Sequence, residues 1–133
     1  MTMAPTRPSL APALALALLA TPIAAAACGA CVEDKVAATY DHAVVTRAAA
    51  RHDVVVYAGI EGRGNAEALA RAVKAAAART HGVDRSSIRV SAHPAAVSFA
   101  VDAGARTPEA LVQAVARSTA TPGVKLELLR VVR

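Results

Sequence analysis

The order in which strand and helix patterns follow one another after residue 53 most constrains the fold of this chain. Residues 54–58 form a short run of mainly β-branched side chains, which predicts a buried strand. A glycine-rich turn over 59–64 follows. Asn65 is then suited to cap a helix over 66–80, and Gly82 is suited to end it. The first unit of this region is therefore a strand followed by a helix.

The second half of the chain repeats this logic with a hairpin added. Residues 87–92 and 96–101 read as two strands joined by a turn at 93–95. Thr107-Pro108-Glu109 carries a capping hydroxyl, a proline in the first turn and an early acid, which together predict a helix start. Residues 124–132 alternate as a closing strand.

The complete order is strand, helix, strand, strand, helix, strand. This is the split β-α-β arrangement of the ferredoxin-like fold, in which two helices cover one face of a four-stranded antiparallel sheet. The fold class is therefore predicted to be α+β. The inward stripe of the first helix is predicted at Leu69, Val73, Ala76 and Ala77, and that of the second at Leu111, Val112 and Val115.

An additional helix is predicted ahead of this domain, over residues 32–51. Its apolar stripe has to pack on the open sheet face, on a sheet edge or on another chain. Hydrophobic residues make up 55% of the chain and aromatic residues only 2%, so the core has to be aliphatic, with three rings available to it. The predicted stripe is Val32, Val36, Tyr40, Ala43 and Val44, and the three rings are Tyr40, Tyr57 and Phe99.

Residues 1–27 have the features of an export signal. Arg7 lies in a short n-region, an apolar stretch rich in Leu and Ala spans 10–20, and Ala25 and Ala27 form an A-x-A cleavage site. Pro12 and the small alanines are unfavourable for a membrane-spanning anchor. We therefore expect a periplasmic or secreted protein with no membrane span after cleavage, made of a segment 28–52 and a domain 53–133.

Both cysteines of the chain lie in Cys28-Gly29-Ala30-Cys31, directly after the expected cleavage site. At the start of a helix, free backbone N–H groups and the positive dipole end favour the thiolate form. Thiolates bind soft metals such as Cu(I), and they also attack disulfides. The pair therefore predicts metal binding through Cys28 and Cys31, copper first. The alternatives are a periplasmic thiol–disulfide exchange protein and a non-catalytic interaction module whose cysteines form a structural disulfide. Lipid attachment at Cys28 is a further alternative, although Ala25 stands where lipoprotein signals usually have leucine.

The predicted domain resembles the heavy-metal-associated domain of copper chaperones and metal-pump termini. The order of elements over 54–132 is similar to that family, and Cys28-Gly29-Ala30-Cys31-Val32 resembles the family's C-x-x-C-V motif. The two resemblances do not share one register, since the loop equivalent to the family's metal loop, residues 61–64, contains neither Cys nor His. The resemblance implies a ferredoxin-like fold, copper binding and a metal-transfer partner protein. Two thiols alone would also suit a metal shared across a homodimer.

Histidine adds one weaker metal candidate. His42 follows Cys31 by 11 residues, which on one continuous helix puts them about 16 Å apart along the axis, too far to share an ion. The other three histidines, His52, His81 and His93, fall at element ends or turns and read as solvated.

Other function classes are weakly indicated. The formal charge is +5, but the basic residues are scattered and aromatic platforms are scarce, so nucleic-acid binding is not expected. The chain lacks G-x-S-x-G, H-E-x-x-H and a phosphate loop, so we expect no enzymatic activity apart from the thiol alternative. No organic cofactor is expected.

Overall fold

A computed structural model describes the backbone over residues 26–133 and the side chains over 32–133; the greater part of the expected export signal, residues 1–25, lies outside this range. The elements follow the predicted order closely. They are α1 (Ala26–Thr39), α2 (His42–Ala50), β1 (Val54–Glu61), α3 (Ala66–Arg79), β2 (Arg89–Ala92), β3 (Ala95–Val101), α4 (Pro108–Ser118) and β4 (Lys125–Val132), with a short 3₁₀ turn at Arg85–Ser87.

The four strands form one antiparallel sheet in the order β2-β3-β1-β4. Strand β1 is central, paired with β3 on one side and with β4 on the other. This order and connectivity confirm the predicted ferredoxin-like α+β fold. The predicted caps are also confirmed, since Asn65 accepts a hydrogen bond from the Ala68 N–H and Thr107 from the Ala110 N–H.

The main core lies between the sheet and helices α3 and α4. Every residue predicted for the inward stripes of these two helices is buried, and Phe99 is completely buried among them. The aliphatic core follows from the scarcity of rings in the sequence. Its principal members are Val54, Val56, Ala58, Ile60, Leu69, Val73, Val97, Phe99, Val101, Leu111, Val112 and Val115.

The single helix predicted over 32–51 is wrong. Two helices occupy this stretch, since α1 ends at Thr39 and α2 begins at His42. Asp41 lies between them with an extended backbone, and its carboxylate accepts hydrogen bonds from the N–H groups of Ala43 and Val44, as an N-cap does. The break also corrects the prediction for Tyr40, which is 54% exposed rather than part of the core.

A second core fills the face of the sheet that α3 and α4 leave open. Helices α1 and α2 both pack on this face, which selects one of the three locations expected for the additional helix. The contact is apolar, and Tyr57 supplies its one ring. Its buried members are Val36, Val44, Ala48, Val55, Tyr57 and Ala100.

Strand β1 is longer than predicted because Gly59, Ile60 and Glu61 continue its pairing with β4. Its register with β4 shifts between Tyr57 and Ala58, so Tyr57 faces Arg130 and Ala58 faces Leu128. Leu129 is the additional residue of this β-bulge. Among residues 26–133, no helix is both long and apolar enough to cross a membrane.

The second core should contribute substantially to stability. Val44→Ala removes two methyl groups from a side chain that is 3% exposed, and we expect it to lower the free energy of unfolding by about 2 kcal/mol. Tyr40→Ala removes a larger but exposed side chain from the same segment and should cost far less. Urea denaturation of both variants checks this. Equal losses would show that α2 is not fixed on the sheet.

Candidate functional site

The cysteine pair lies inside helix α1. The helix begins at Ala26, so Cys28 and Cys31 are its third and sixth residues, whereas the sequence predicted a helix beginning only after them. Three positions apart, they are separated by about 4.5 Å along the axis and are neighbours on the helix surface. Cys28 is among the first four residues, whose N–H groups have no partner within the helix.

The sheet-facing stripe of α1 defines where the pair is located on the helix. Val36 and Thr39 are buried, and Val32 and Lys35 are half-buried. Position 28 precedes Val32 by four residues and position 31 precedes Lys35 by four. Both therefore continue this stripe by one helical turn.

An ion pair ties this half of α1 to the edge strand β4. Arg130 of β4 donates hydrogen bonds to both carboxylate oxygens of Glu33, one of them at 3.3 Å. The Glu33 carboxylate raises the pKa of the Arg130 guanidinium, first through this hydrogen bond and then through its charge. Glu33 is only two residues after Cys31, so the cysteine turns of α1 lie near the β4 edge.

The other end of α1 is held on strand β3. The buried hydroxyl of Ser98 donates a 2.8 Å hydrogen bond to the carbonyl of Thr39. Helix α1 therefore crosses the sheet obliquely, from β4 at its N-terminal half to β3 at its C-terminal end. The direction of α1 across the sheet is set by polar contacts between residues far apart in sequence, and local sequence patterns do not reveal such contacts.

Lys35 lies against the sheet beneath α1. Its Nζ is 3.1 Å from the point that a Cβ on Gly59 would occupy, so the absence of a side chain on Gly59 makes room for the lysine. Among the described residues Lys35 has no ion-pair partner. A cation therefore lies on the same helix stripe as the cysteine positions, and sequence reasoning missed it because Lys35 reads as an ordinary exposed helix residue.

Asp41 fixes the junction between α1 and α2. Besides capping α2, its Oδ2 accepts a 2.9 Å hydrogen bond from Nε of Arg89 in β2, and a terminal nitrogen of the same guanidinium lies 2.8 Å away as an ion pair. The hydrogen bond from Arg89 is the main reason why the pKa of Asp41 lies below its usual value, with the Val44 N–H next. This Asp41–Arg89 pair, called the Asp41 clasp below, holds α2 over the sheet.

Two of the histidines contact side chains within the part of the chain whose side chains are described. His42 begins α2, beyond the C-terminal end of α1, so the prediction that it shares one helix with Cys31 is wrong. Its Nδ1 lies 3.3 Å from the Tyr40 hydroxyl and its Nε2 lies 3.5 Å from the Thr46 hydroxyl. His93 bonds through Nε2 to Glu67 at 3.0 Å, and this pair lowers the pKa of Glu67, after the contribution of that residue's own backbone N–H.

No metal-binding cluster of three or more His, Cys, Asp or Glu side chains occurs among the residues that the structure describes. The segment that the family resemblance equates with a metal loop, residues 61–64, is exposed, and Glu61 is its one carboxylate.

Comparison with known proteins gives one structural likeness. The chain is similar to the crystal structure of a copper binding domain from HMA7, a P-type ATPase, with a TM-score of 0.47 and 18% identity, over 58% of this chain and 95% of that chain. No protein-family model and no curated protein matches the chain.

The Asp41 clasp gives a pH prediction. Its folded pKa lies below the unfolded value near 3.8, so its stabilising contribution is present above that pH and is lost as the pH falls through the lower folded pKa. Asp41→Asn keeps a good N-cap but removes the charge. We expect a lower melting temperature at pH 7 and a smaller further loss below about pH 4.

The matched control is Asp34→Asn, which removes an exposed carboxylate from α1. It should leave the melting temperature and its acid dependence close to those of the natural protein. Thermal unfolding followed by circular dichroism from pH 2 to 7 makes the comparison. Identical curves for Asp41→Asn and the natural protein would contradict a stabilising Asp41–Arg89 pair.

Proposed function

We propose that this protein is exported and binds a soft metal ion, Cu(I) first, through the thiolates of Cys28 and Cys31, without catalysis. The observation that carries the proposal is the location of the pair: three positions apart in the first two turns of a helix that is fixed on a sheet. This spacing brings two sulfurs close enough to share one ion, and thiolate ligands select Cu(I) over harder metals.

The charges around α1 support the thiolate form. The N-terminal end of a helix favours anions, and Cys28 lies within its first turn. Two thiolates that hold one Cu(I) ion carry a net charge of −1. Lys35 is one turn beyond Cys31 on the same stripe and can offset that charge. The proposal therefore gives a role to a cation that has no ion-pair partner among the described residues.

Export is part of the same proposal. Cleavage after Ala27 would make Cys28 the first residue of the mature protein, in an oxidising compartment where a thiol pair is either metal-bound or oxidised. The N-terminal mass of the chain purified from an exporting bacterial host tests this step, with a mature chain that begins at Cys28 as the expected result. An added lipid mass would support the lipoprotein alternative, and an uncleaved chain would contradict export processing.

Competition for Cu(I) is the direct test of metal binding. The reduced protein is titrated against a chromogenic Cu(I) chelator, beside a Cys28→Ser/Cys31→Ser variant. We expect the natural protein to take copper from the chelator and the variant to lose at least 100-fold in affinity, because a soft ion loses both sulfur ligands. Circular dichroism of the variant checks that the fold is intact.

Equal, weak binding by the two proteins would exclude this function. The thiol–disulfide alternative has its own readout, the reduction potential of the pair. A potential in the range of known oxidoreductases would favour exchange, and one below about −300 mV would favour a structural disulfide.

Substitutions of Lys35 distinguish an electrostatic role of its charge from a packing role of its side chain. Lys35→Met keeps the aliphatic stem but removes the charge, so the thiols should deprotonate at higher pH and Cu(I) affinity should fall by about threefold to tenfold. Lys35→Arg should retain most of both properties. Lys74→Met, at an exposed position on α3, is the control. Unchanged thiol reactivity with pH in Lys35→Met would contradict the electrostatic role.

A further inference from the structure

The two edges of the sheet differ. Strand β2 forms one edge with only four residues, Arg89–Ala92, and α1 and α3 contact it from both sides. Strand β4 forms the other edge with eight residues, and within 26–133 no strand pairs with its outer side. Long unpaired edges present backbone N–H and C=O groups to a further strand. The edge that is open for pairing is therefore β4.

We propose that two copies of this chain pair antiparallel through their β4 strands and so bring their cysteine helices together around one metal site. The proposal rests on the proposed function for the identity of the ligands, since two thiols are too few for a closed site and the described residues supply no third. A second copy would add two more thiols of the same kind.

The sequence of β4 is complementary to itself in this arrangement. Glu127 and Arg130 both lie on the face of β4 that carries α1, because the bulge at Leu129 places them on one side. In the antiparallel register centred between Leu128 and Leu129, Glu127 lies opposite the partner's Arg130, and Arg130 opposite the partner's Glu127. Two cross-strand charge pairs form on the α1 face. At the centre of this register, Leu128 is directed to the α3 and α4 face and Leu129 to the α1 and α2 face, so each copy contributes one leucine to each side of the paired edge.

The neighbouring surface provides space for this register. An open groove of about 370 Å³ runs between α4 and β4, and Val124 and Leu126 contribute to its lining. Leu126 lies opposite the partner's Val131 in the proposed register, and both residues are directed to the face that carries α3 and α4. The groove is therefore available for an apolar side chain of the second copy.

The position of α1 connects the edge to the metal ligands. Arg130 donates two hydrogen bonds to Glu33. A guanidinium has five N–H donors, so others remain to bond the partner's Glu127. Paired strands lie about 4.8 Å apart, so the two α1 helices, each of which reaches its own β4 strand through Glu33, approach each other across the paired edge. The cysteine positions precede Glu33 by two and five residues. Four thiols would thus gather on one side of the paired sheet.

Charge exchange across the edge tests the pairing. Glu127→Arg and Arg130→Glu each place like charges opposite one another twice per dimer, and we expect each to weaken dimerisation roughly tenfold or more. An equimolar mixture of the two variants restores both pairs and should dimerise nearly as well as the natural protein. Sedimentation velocity of the exported, reduced protein measures this with and without Cu(I), and the natural protein should bind one copper ion per two chains.

Two controls separate the edge from other effects. Lys74→Glu reverses an exposed charge on α3 and should leave the mass unchanged. Glu33→Gln removes the α1 contact of Arg130 and shows how much of the Arg130→Glu effect comes from that contact. A monomer at all concentrations with bound copper would overturn the pairing but leave the proposed function standing. A mixture no better than the single variants would also overturn it.

These experiments distinguish a failure of the proposed dimerisation from a failure of the proposed metal binding. A Cys28→Ser/Cys31→Ser protein that still dimerises, and whose dimerisation is weakened by Glu127→Arg, supports the edge pairing whatever the metal result. A natural protein that dimerises but binds no Cu(I) supports the edge and contradicts the proposed function. One copper ion per single chain, with no change of mass, contradicts the shared site.

Discussion

Burial of strand β1 on both faces is the constraint on which the rest of the structure depends. Seven of its eight residues are buried, with Val54, Val56, Ala58 and Ile60 against α3 and α4. Val55 and Tyr57 face the opposite layer. A ferredoxin-like sheet covered by two helices alone would expose the apolar side chains of that second face to water. In this chain α1 and α2 bury them, so the additional helices complete the domain.

The sequence predicts the ferredoxin-like half well because its signals are local. The caps at Asn65 and Thr107 and the inward stripes on α3 and α4 lie within a few residues of the elements they define, and the structure confirms them. The break between α1 and α2 is different. The apolar spacing runs through Tyr40 without interruption, and what favours the break is a clasp between Asp41 and Arg89, 48 residues away. Periodicity does not contain that information.

The same contrast applies to the candidate site. Cys28 and Cys31 stand out as a candidate pair from spacing alone, but the helix was expected to begin only after them, whereas α1 begins at Ala26. The surroundings of the pair could not be predicted. Lys35 is located over Gly59, and Glu33 reaches Arg130 of the last strand, 97 residues away in the chain. His42 was separated from the pair by the helix break. The candidate pair is therefore readable from sequence, whereas the charged groups around it depend on the fold.

The Glu33–Arg130 pair connects the cysteine-bearing half of α1 to strand β4. Exposed ion pairs contribute little stability by themselves, and this one joins two exposed side chains. Its effect is geometric, because it fixes the end of α1 that carries the cysteines at the one long open edge of the sheet. A two-ligand site buried at the centre of the face would be closed to a second copy. In the proposed dimer the cysteine positions lie near β4, where a second copy can add ligands, so metal binding and edge pairing would stabilise each other by mass action.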